Sequence, residues 1–340
     1  MSVSAPPAGY ERLTPLMCVR LAAPHTWPGP SVLPTAFGGL YAIACGWAFS
    51  PALWCLLLAV AVLAQSAVNT LNDWADFKKG TDTAENSDDP TDAVLVFNNP
   101  DPRHVLALAC AEMGVAAVCG LACCVAAKTA VPVVIGAIGA LVIVVYSNGK
   151  LPISYLPLGE LVSGVVMGFL IPLADVMVLA AASAPPASPL ALPAGISSVL
   201  VVDARLPFFL YALPFVVGIG LVMATQNTCD IERDAPAGRK TLAVLLGRAA
   251  GRGVYRFFAA AWVVLVLALT TCGFAGGAWL AAVVLVFGAG ALRVVLASPL
   301  VHETRGSAMA AIGKANLFVN GAYLLGMMYT LVNPATVAFF

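Results

Sequence analysis

Long unbroken apolar runs separated by short polar stretches make up almost the whole chain. They fall at Val32–Phe49, Leu53–Leu71, His104–Ala127, Val131–Tyr146, Leu158–Ala180, Leu206–Gln226, Tyr255–Cys272, Ala278–Leu296 and Ala315–Val332. Crossing a bilayer takes roughly 20 helical residues. The runs are continuous rather than alternating, so helices are expected and strands are not. The pattern predicts an all-α membrane protein, a bundle of nine transmembrane helices. Residues 1–31 form a polar, proline-rich N-terminal segment and residues 32–334 the helical domain. The first thirty residues contain no apolar h-region, so no cleavable signal peptide is expected.

Composition agrees with the pattern. Of the residues, 61% are hydrophobic and 10% charged, against about 25% charged in an ordinary globular domain. The chain is therefore built to face a lipid bilayer. Its formal net charge of zero argues against nucleic acid as a partner. The nine cysteines lack metal-ligand spacing. Cys45, Cys55, Cys110, Cys119, Cys123 and Cys124 fall within apolar runs and read as small apolar fillers.

Charge also orients the bundle. Nine helices divide the loops into two sets. Of the 17 Lys and Arg, all but Lys128 and Arg205 fall in the set that includes the N-terminus. By the positive-inside rule the N-terminus and the charged loops are expected in the cytoplasm and the C-terminus outside. The loop 181–204, rich in Ala, Pro and Ser, reads as an external spacer.

Two polar clusters interrupt the apolar pattern, both on the expected cytoplasmic side. The first runs from Asn69 through Asn72, Asp73 and Asp76 to Lys78, Lys79, Gly80 and Asp82. Asn69, Asn72, Asp73 and Asp76 lie 3, 4 and 7 residues apart and share one helical face. The second cluster repeats that spacing with Asn227, Asp230 and Asp234, followed by Gly238, Arg239 and Lys240. Carboxylates near membrane depth are costly and need partners. Mg²⁺ suits them, because it takes oxygen ligands and shares substrate phosphate oxygens. Asp73, Asp76, Asp230 and Asp234 are thus the candidate metal-binding and catalytic residues. Lys78, Lys79, Arg239 and Lys240 are candidates to hold phosphate oxygens. Gly80 and Gly238 would let the backbone turn sharply.

Other polar residues carry weaker expectations. Glu85, Asp88, Asp89, Asp92 and Asp101 read as a solvated acidic loop. Tyr146, Tyr155 and Glu160 flank the loop between the fourth and fifth spans, as cavity lining or as interface anchors. Asp175 and Glu112 fall inside spans, and Asp175 is near enough to the outer end to snorkel. Asn316 and Asn320 are placed to hydrogen-bond between helices. Gly114, Gly136 and Gly164 are candidates to shape a tunnel.

The two clusters resemble the paired signature of the UbiA superfamily, membrane-embedded prenyltransferases of nine helices. The resemblance covers the chain from Pro34 to about Val332. Within that superfamily, Asn72-Asp73-Trp-Ala-Asp76-Phe-Lys-Lys-Gly80-Thr-Asp82 and Asp230-Ile-Glu-Arg-Asp234 look like the MenA type, the 1,4-dihydroxy-2-naphthoate polyprenyltransferases. Gly238-Arg-Lys240-Thr241 and Tyr146-Ser-Asn-Gly-Lys with Leu158-Gly159-Glu160 look like that type too. Cys229 stands where many such members carry Arg, and Gln226 precedes Asn227 where Asn-Asn is usual. An acidic stretch, Asp88 to Asn99, replaces a glycine-rich one.

The resemblance implies Mg²⁺-dependent transfer of a polyprenyl group from polyprenyl diphosphate to an aromatic acceptor, 1,4-dihydroxy-2-naphthoate, with decarboxylation, in menaquinone biosynthesis. It implies the inner (cytoplasmic) membrane as the location. Asn69, Asn72, Asn227 and Asp82 would position the carboxylates or contact substrate, and Glu160 or Tyr155 would orient the acceptor. Another acceptor is an open alternative. So is an ion or solute transporter, in which carboxylates on broken helices coordinate ions.

Overall fold

The computed structural model describes residues 9–84, 93–186, 188–191 and 208–333. The stretch from Glu85 to Asp92, most of the spacer after Ala191 and Arg205 lie outside them. The described residues are helical, with one isolated bridge between Glu11 and Pro100. In chain order the helices are α1 (Pro15–Ala22), α2 (Leu33–Ala44), α3 (Pro51–Lys79), α4 (Val94–Asn98), α5 (Pro102–Ala126), α6 (Val131–Ser147), α7 (Gly159–Ser183), α8 (Phe208–Cys229), α9 (Ile231–Asp234), α10 (Leu242–Gly273), α11 (Ala278–Ala297) and α12 (Arg305–Val332).

Seven of these, α3, α5, α7, α8, α10, α11 and the stretch containing α12, are long and apolar enough to cross a membrane. The other two expected spans are shorter helices, α2 and the 17-residue α6. Helix α2 continues a π-helical turn at Pro28–Val32 and ends before Gly46, whose φ of 74° stops it. Pro51 then opens α3, with Ser50 accepting from Leu53 N at 3.4 Å. Large apolar side chains such as Val118, Val125, Phe257, Val264, Val286 and Phe287 point outward. A soluble protein hides such groups, whereas a bilayer solvates them. This is a multi-pass membrane protein.

The core lies where α8, α10 and α12 meet. Trp262, Phe215, Tyr323 and Phe37 are fully buried there. Asn316 and Asn320 bond between helices as expected: Asn316 Nδ2 donates to Gly218 O at 3.0 Å, and Asn320 accepts from Trp262 Nε1 at 3.1 Å. A side chain at Gly218 would strike both Asn316 and Trp262.

Four expectations are corrected. Residues 242–256 were read as part of a basic loop, but α10 begins at Leu242, capped by Thr241, and bends at Gly247, whose φ is 72°. Arg248, Arg252 and Arg256 recur every four residues, so they share a face and fit a helix end. The last helix likewise starts at Arg305, ten residues before Ala315. Asp175 does not snorkel: it is 3% exposed, with its Cβ packed on Gly38 of α2. Gly164 shapes no tunnel wall either, because a Cβ there would lie 2.5 Å from Val216 O. Gly164 and Gly168 let α7 and α8 touch backbone to backbone.

The N-terminal segment is not separate from the domain. Leu21 of α1 is fully buried against Val94, Leu95 and Val105, with Trp74 and Phe77 of α3 packed on the same cluster. Glu11 N donates to Asn99 O at 2.9 Å. Helices α1 and α4 thus brace the side of α3 that carries Trp74 and Phe77, between and beside its aspartates.

Candidate active site

Each aspartate cluster sits at the end of a long helix where glycine releases the chain. Helix α3 ends at Gly80, with φ of 71° and its N–H bonded to Asp76 O and Phe77 O. After α8 the helix breaks at Asp230, and α9 carries Glu232, Arg233 and Asp234 before Gly238, with φ of 77°, turns the chain back. Both glycines adopt the left-handed conformation their place in the sequence suggested. The turn brings Arg239 back over the site, its N–H donating to Asp234 O at 3.0 Å.

Arg239 joins the two clusters. Its Nη2 lies 2.9 Å from Asp76 Oδ1 and its Nη1 3.4 Å from Asp234 Oδ1. One guanidinium therefore spans carboxylates that are far apart in sequence. Burial works against its charge, but Asp76 and Asp234 outweigh that and raise its pKa. Burial pushes the Asp234 carboxyl up to about 6, opposed by Arg239 and reinforced by the Asp230 charge. Burial, then the neighbouring Asp76 charge, raises Asp82, while Arg233 at 3.0 Å pulls it back. Several carboxylates thus crowd one partly dry place. Fewer charges would be ionised there if no cation balanced them.

Tyr155 organises the cations. Its ring lies 4.9 Å from Lys79 Nζ and 5.2 Å from the Arg239 guanidinium carbon. Its carbonyl accepts from Lys240 N at 2.9 Å. Lys79 Nζ also donates to Ser147 O at the end of α6. The ends of α3 and α6, the loop before α7 and the turn after α9 are therefore tied at one point. The Lys240 side chain and Lys78 are exposed.

Some expected site residues go elsewhere. Asn69 is committed to the N-terminal segment. Its amide donates to Ala22 O at 3.1 Å and Thr26 Oγ1 at 3.0 Å, and its oxygen accepts from Gln65. Asp230 turns toward the start of α12, with Oδ2 3.1 Å from Arg305 Nε and Oδ1 3.5 Å from His302 Nδ1. The break in the helix at Asp230 rotates it away from the face that Asp234 shares with Asp76. Asn72 and Asp73 are partly buried on α3, Asp73 one turn before Asp76. Asn227 Nδ2 donates to Glu160 Oε1 at 2.9 Å, and Tyr146 OH accepts from Ser163 Oγ at 3.3 Å. The partners Arg233, Arg305 and His302 were not anticipated. Arg233 meets Asp82 across 151 positions, a separation at which periodicity carries no signal.

The donors fit a hard cation. Asp76, Asp234, Asp82 and Asp73 offer only carboxylate oxygens, and Arg239 already shows that the first two can share one positive charge. Among the described residues no three His, Cys, Asp or Glu side chains converge into a complete metal set. Mg²⁺ suits such an incomplete edge, since it is usually held by one or two carboxylates with water and phosphate oxygens completing the shell.

The UbiA prenyltransferase family model matches residues 31–322. A 1,4-dihydroxy-2-naphthoate octaprenyltransferase of Bacillus subtilis (strain 168) is 33% identical over 215 residues. That match covers 62% of this chain and 60% of the relative, so the aligned part spans less than two thirds of the relative's length. A UbiA homolog from Aeropyrum pernix K1 superposes with a TM-score of 0.62 at 18% identity, covering 91% of this chain and 98% of that one. A UbiA homolog from Archaeoglobus fulgidus bound to GPP and Mg²⁺ gives 0.57 at 15% identity, covering 93% and 99%. At such identities the likeness concerns the fold. Together with the family match over most of its length, it means that this chain belongs to the UbiA prenyltransferase family.

Proposed function

We propose that this enzyme transfers a polyprenyl group from polyprenyl diphosphate to an aromatic acceptor, 1,4-dihydroxy-2-naphthoate, with loss of carbon dioxide, in menaquinone biosynthesis. The observation that carries the reading is the meeting of Asp76 and Asp234, one from each cluster, at Arg239. A site with two acidic walls and a ring of cations suits a magnesium diphosphate. The likeness to the naphthoate octaprenyltransferase favours that acceptor.

In this reading Asp73, Asp76 and Asp234 would hold Mg²⁺, and Asp230 would join them or steady the start of α12. The metal supplies charge neutralisation for the departing diphosphate. Arg239 exchanges its carboxylate partners for phosphate oxygens when the diphosphate arrives. Lys79, Lys78 and Lys240 add positive charge around the head group, and Tyr155 keeps Lys79 and Arg239 side by side. Asn72 and Asn227 position the reacting groups. The C–O bond of the allylic diphosphate ionises, and the bundle keeps water from the cation. The acceptor ring meets it near Tyr146 and Glu160.

Magnesium-dependent pyrophosphate release by the purified protein, given labelled prenyl diphosphate and a panel of acceptors, tests this. Transfer to the hydroxynaphthoate is expected, and Asp73→Ala and Asp234→Ala are expected to abolish it while the protein still inserts. Substantial transfer by purified Asp73→Ala would refute the diphosphate site. Prenylation of a different ring would replace the acceptor. The same charge asymmetry favours a site on the cytoplasmic side of the membrane, and in this reading that membrane is the inner one.

A further inference from the structure

Glu160, Tyr146 and Ser163, which belong to neither aspartate cluster, gather beside Asn227 of the second one. Glu160 opens α7. One of its oxygens, Oε1, accepts from Asn227 Nδ2 at 2.9 Å. The other, Oε2, is fully buried and accepts no hydrogen bond. A buried carboxylate oxygen without a donor is costly, and in a native protein it calls for an explanation.

The surroundings hold Glu160 firmly. Gly220 of α8 lies under its backbone, where a Cβ would come within 3.3 Å of Glu160 O. Gly164 and Gly168 extend the same close crossing along α8 toward Val216. On the other side Tyr146 OH comes within 3.3 Å of where a Gly159 Cβ would stand, and Asn227 Nδ2 within 3.9 Å. Ser163, one turn further on, donates to that same phenol oxygen. Glycine at 159 thus lets Tyr146 and Asn227 come close to the start of α7. Glu160 sits in the first turn of α7, whose unpaired N–H groups favour a negative charge there. No arginine or lysine is paired with it among the described ion pairs. This carboxylate is held by one amide, placed by a helix end, and left with one oxygen in search of a donor.

Asn227 ties this arrangement to the reaction centre. It lies one helical turn before Asp230 and two before Asp234, on the membrane side of them. A ligand that donates a hydrogen bond to Glu160 Oε2 would therefore sit beside Asn227, on the α8 side of Asp230 and Asp234, where the hydroxyl of an aromatic acceptor could meet it.

We infer that Glu160 is a catalytic residue for the acceptor: it binds the ring hydroxyl of a hydroxyarene through Oε2 and takes its proton as the ring attacks. The inference rests on the prenyl-transfer reading above. The atoms balance as follows. The hydroxyl proton passes to Glu160. The ring carbon next to that oxygen forms a bond to the allylic carbon. The allylic C–O bond breaks and its electron pair leaves with the diphosphate. The attacked carbon then sheds its carboxylate as carbon dioxide. The electrons released restore the aromatic ring, and its oxygen recovers the proton from Glu160. The carboxylate is thus borrowed and returned, and no outside acid, base or oxidant is consumed. Asn227 is the positioning residue, since its amide fixes which oxygen of Glu160 stays open.

The test uses the full chain in lipid nanodiscs with Mg²⁺, a prenyl diphosphate and 1,4-dihydroxy-2-naphthoate. Glu160→Gln keeps the size and the Asn227 contact but cannot take a proton. General base catalysis is worth about 10²–10⁴ in rate. Glu160→Gln should therefore lower kcat for transfer by about 100-fold. KM for the prenyl diphosphate should stay within about twofold. Pyrophosphate release in the absence of acceptor should stay at the wild-type rate. Formate should restore part of the activity of Glu160→Ala. A loss of kcat below about tenfold in Glu160→Gln overturns the inference, as does equal loss of acceptor-free pyrophosphate release. A test that needs no variant is the acceptor methylated on the hydroxyl next to the attacked carbon, given to the wild-type protein. It should be inert, and turnover at the rate of the parent overturns the inference. The two readings fail separately: activity in Asp234→Ala would strike the diphosphate site, whereas activity in Glu160→Gln strikes the proton transfer alone.

Discussion

At the scale of single residues, the site is governed by the competition among carboxylates for few cations. Asp234 illustrates this. Burial raises its pKa to about 6, so near pH 5 it is mostly protonated and by pH 7 mostly ionised. A metal ion needs the ionised form and displaces the proton. Apparent Mg²⁺ affinity should therefore rise as pH climbs through about 6 and level off above about 7. Titration of Mg²⁺ against the purified protein at several pH values checks it, and a flat profile in that window would show that Asp234 is no ligand. Tyr155 gives a second prediction. Its ring holds Lys79 and Arg239 at 4.9 and 5.2 Å, and a cation–π contact is worth about 0.5–2 kcal/mol. Tyr155→Leu should raise KM for the prenyl diphosphate about tenfold, or ~1.4 kcal/mol, while Tyr155→Phe stays near wild type. Equal behaviour of the two variants in steady-state kinetics would show that the ring does not organise the cations.

At the scale of elements, the contacts between helices decide which faces are available. Helices α7 and α8 cross closely at glycines, with Phe169 packed against Phe208 and Phe209 beyond the crossing. A Cβ at Gly168 would lie 2.4 Å from Val216 N and 2.6 Å from Phe215 C, both backbone atoms that cannot give way. Gly168→Val should therefore part these helices and abolish both thermal stability in detergent and activity, whereas Gly136→Ala, which meets nothing within 4 Å, should leave both intact. Melting curves of the purified variants distinguish the two. The N-terminal helix α1 matters in the same way. Leu21 is fully buried beneath α3, and removal of such a leucine side chain costs about 2–5 kcal/mol. Leu21→Ala should lower the melting temperature, because it loosens the packing of α1 against Trp74 and Phe77 of α3. These contacts were only partly legible in the sequence. The glycine-rich spans announced close helix packing, but which glycine met which helix depended on crossings that no local pattern encodes.

At the scale of the whole molecule, the basic residues on one set of loops and the two aspartate clusters belong to the same end of the bundle in the charge reading. A reporter active only outside the cytoplasm, fused after the last helix, should be active, and one fused in the loop before α12 should not. The reverse pattern would overturn the orientation. That the chain crosses the membrane several times as helices was legible, because a continuous apolar run can satisfy its backbone in lipid only as a helix, and seven helices among the described residues are long and apolar enough to do so. Their ends were less so. Residues 242–256 are polar enough to read as loop, yet their arginines recur at helical spacing and the helix extends through them.

The sequence by itself determined that this protein lives in a bilayer, that two acidic clusters stand at the ends of long helices, and that glycines at 80 and 238 turn the chain there. These follow from local physics: apolar length, a spacing of 3, 4 and 7, and the freedom of a residue without Cβ. Only the tertiary structure decided how those residues are shared out. Asn69 has the same spacing as its neighbours but spends its amide on the N-terminal segment. Asp230 belongs to the same motif as Asp234 but faces Arg305. Arg239 joins Asp76 to Asp234, and Glu160 keeps one oxygen open beside Asn227. A hydrogen bond or ion pair depends on two groups meeting in space, and residues as much as 163 positions apart meet only after every intervening helix has packed.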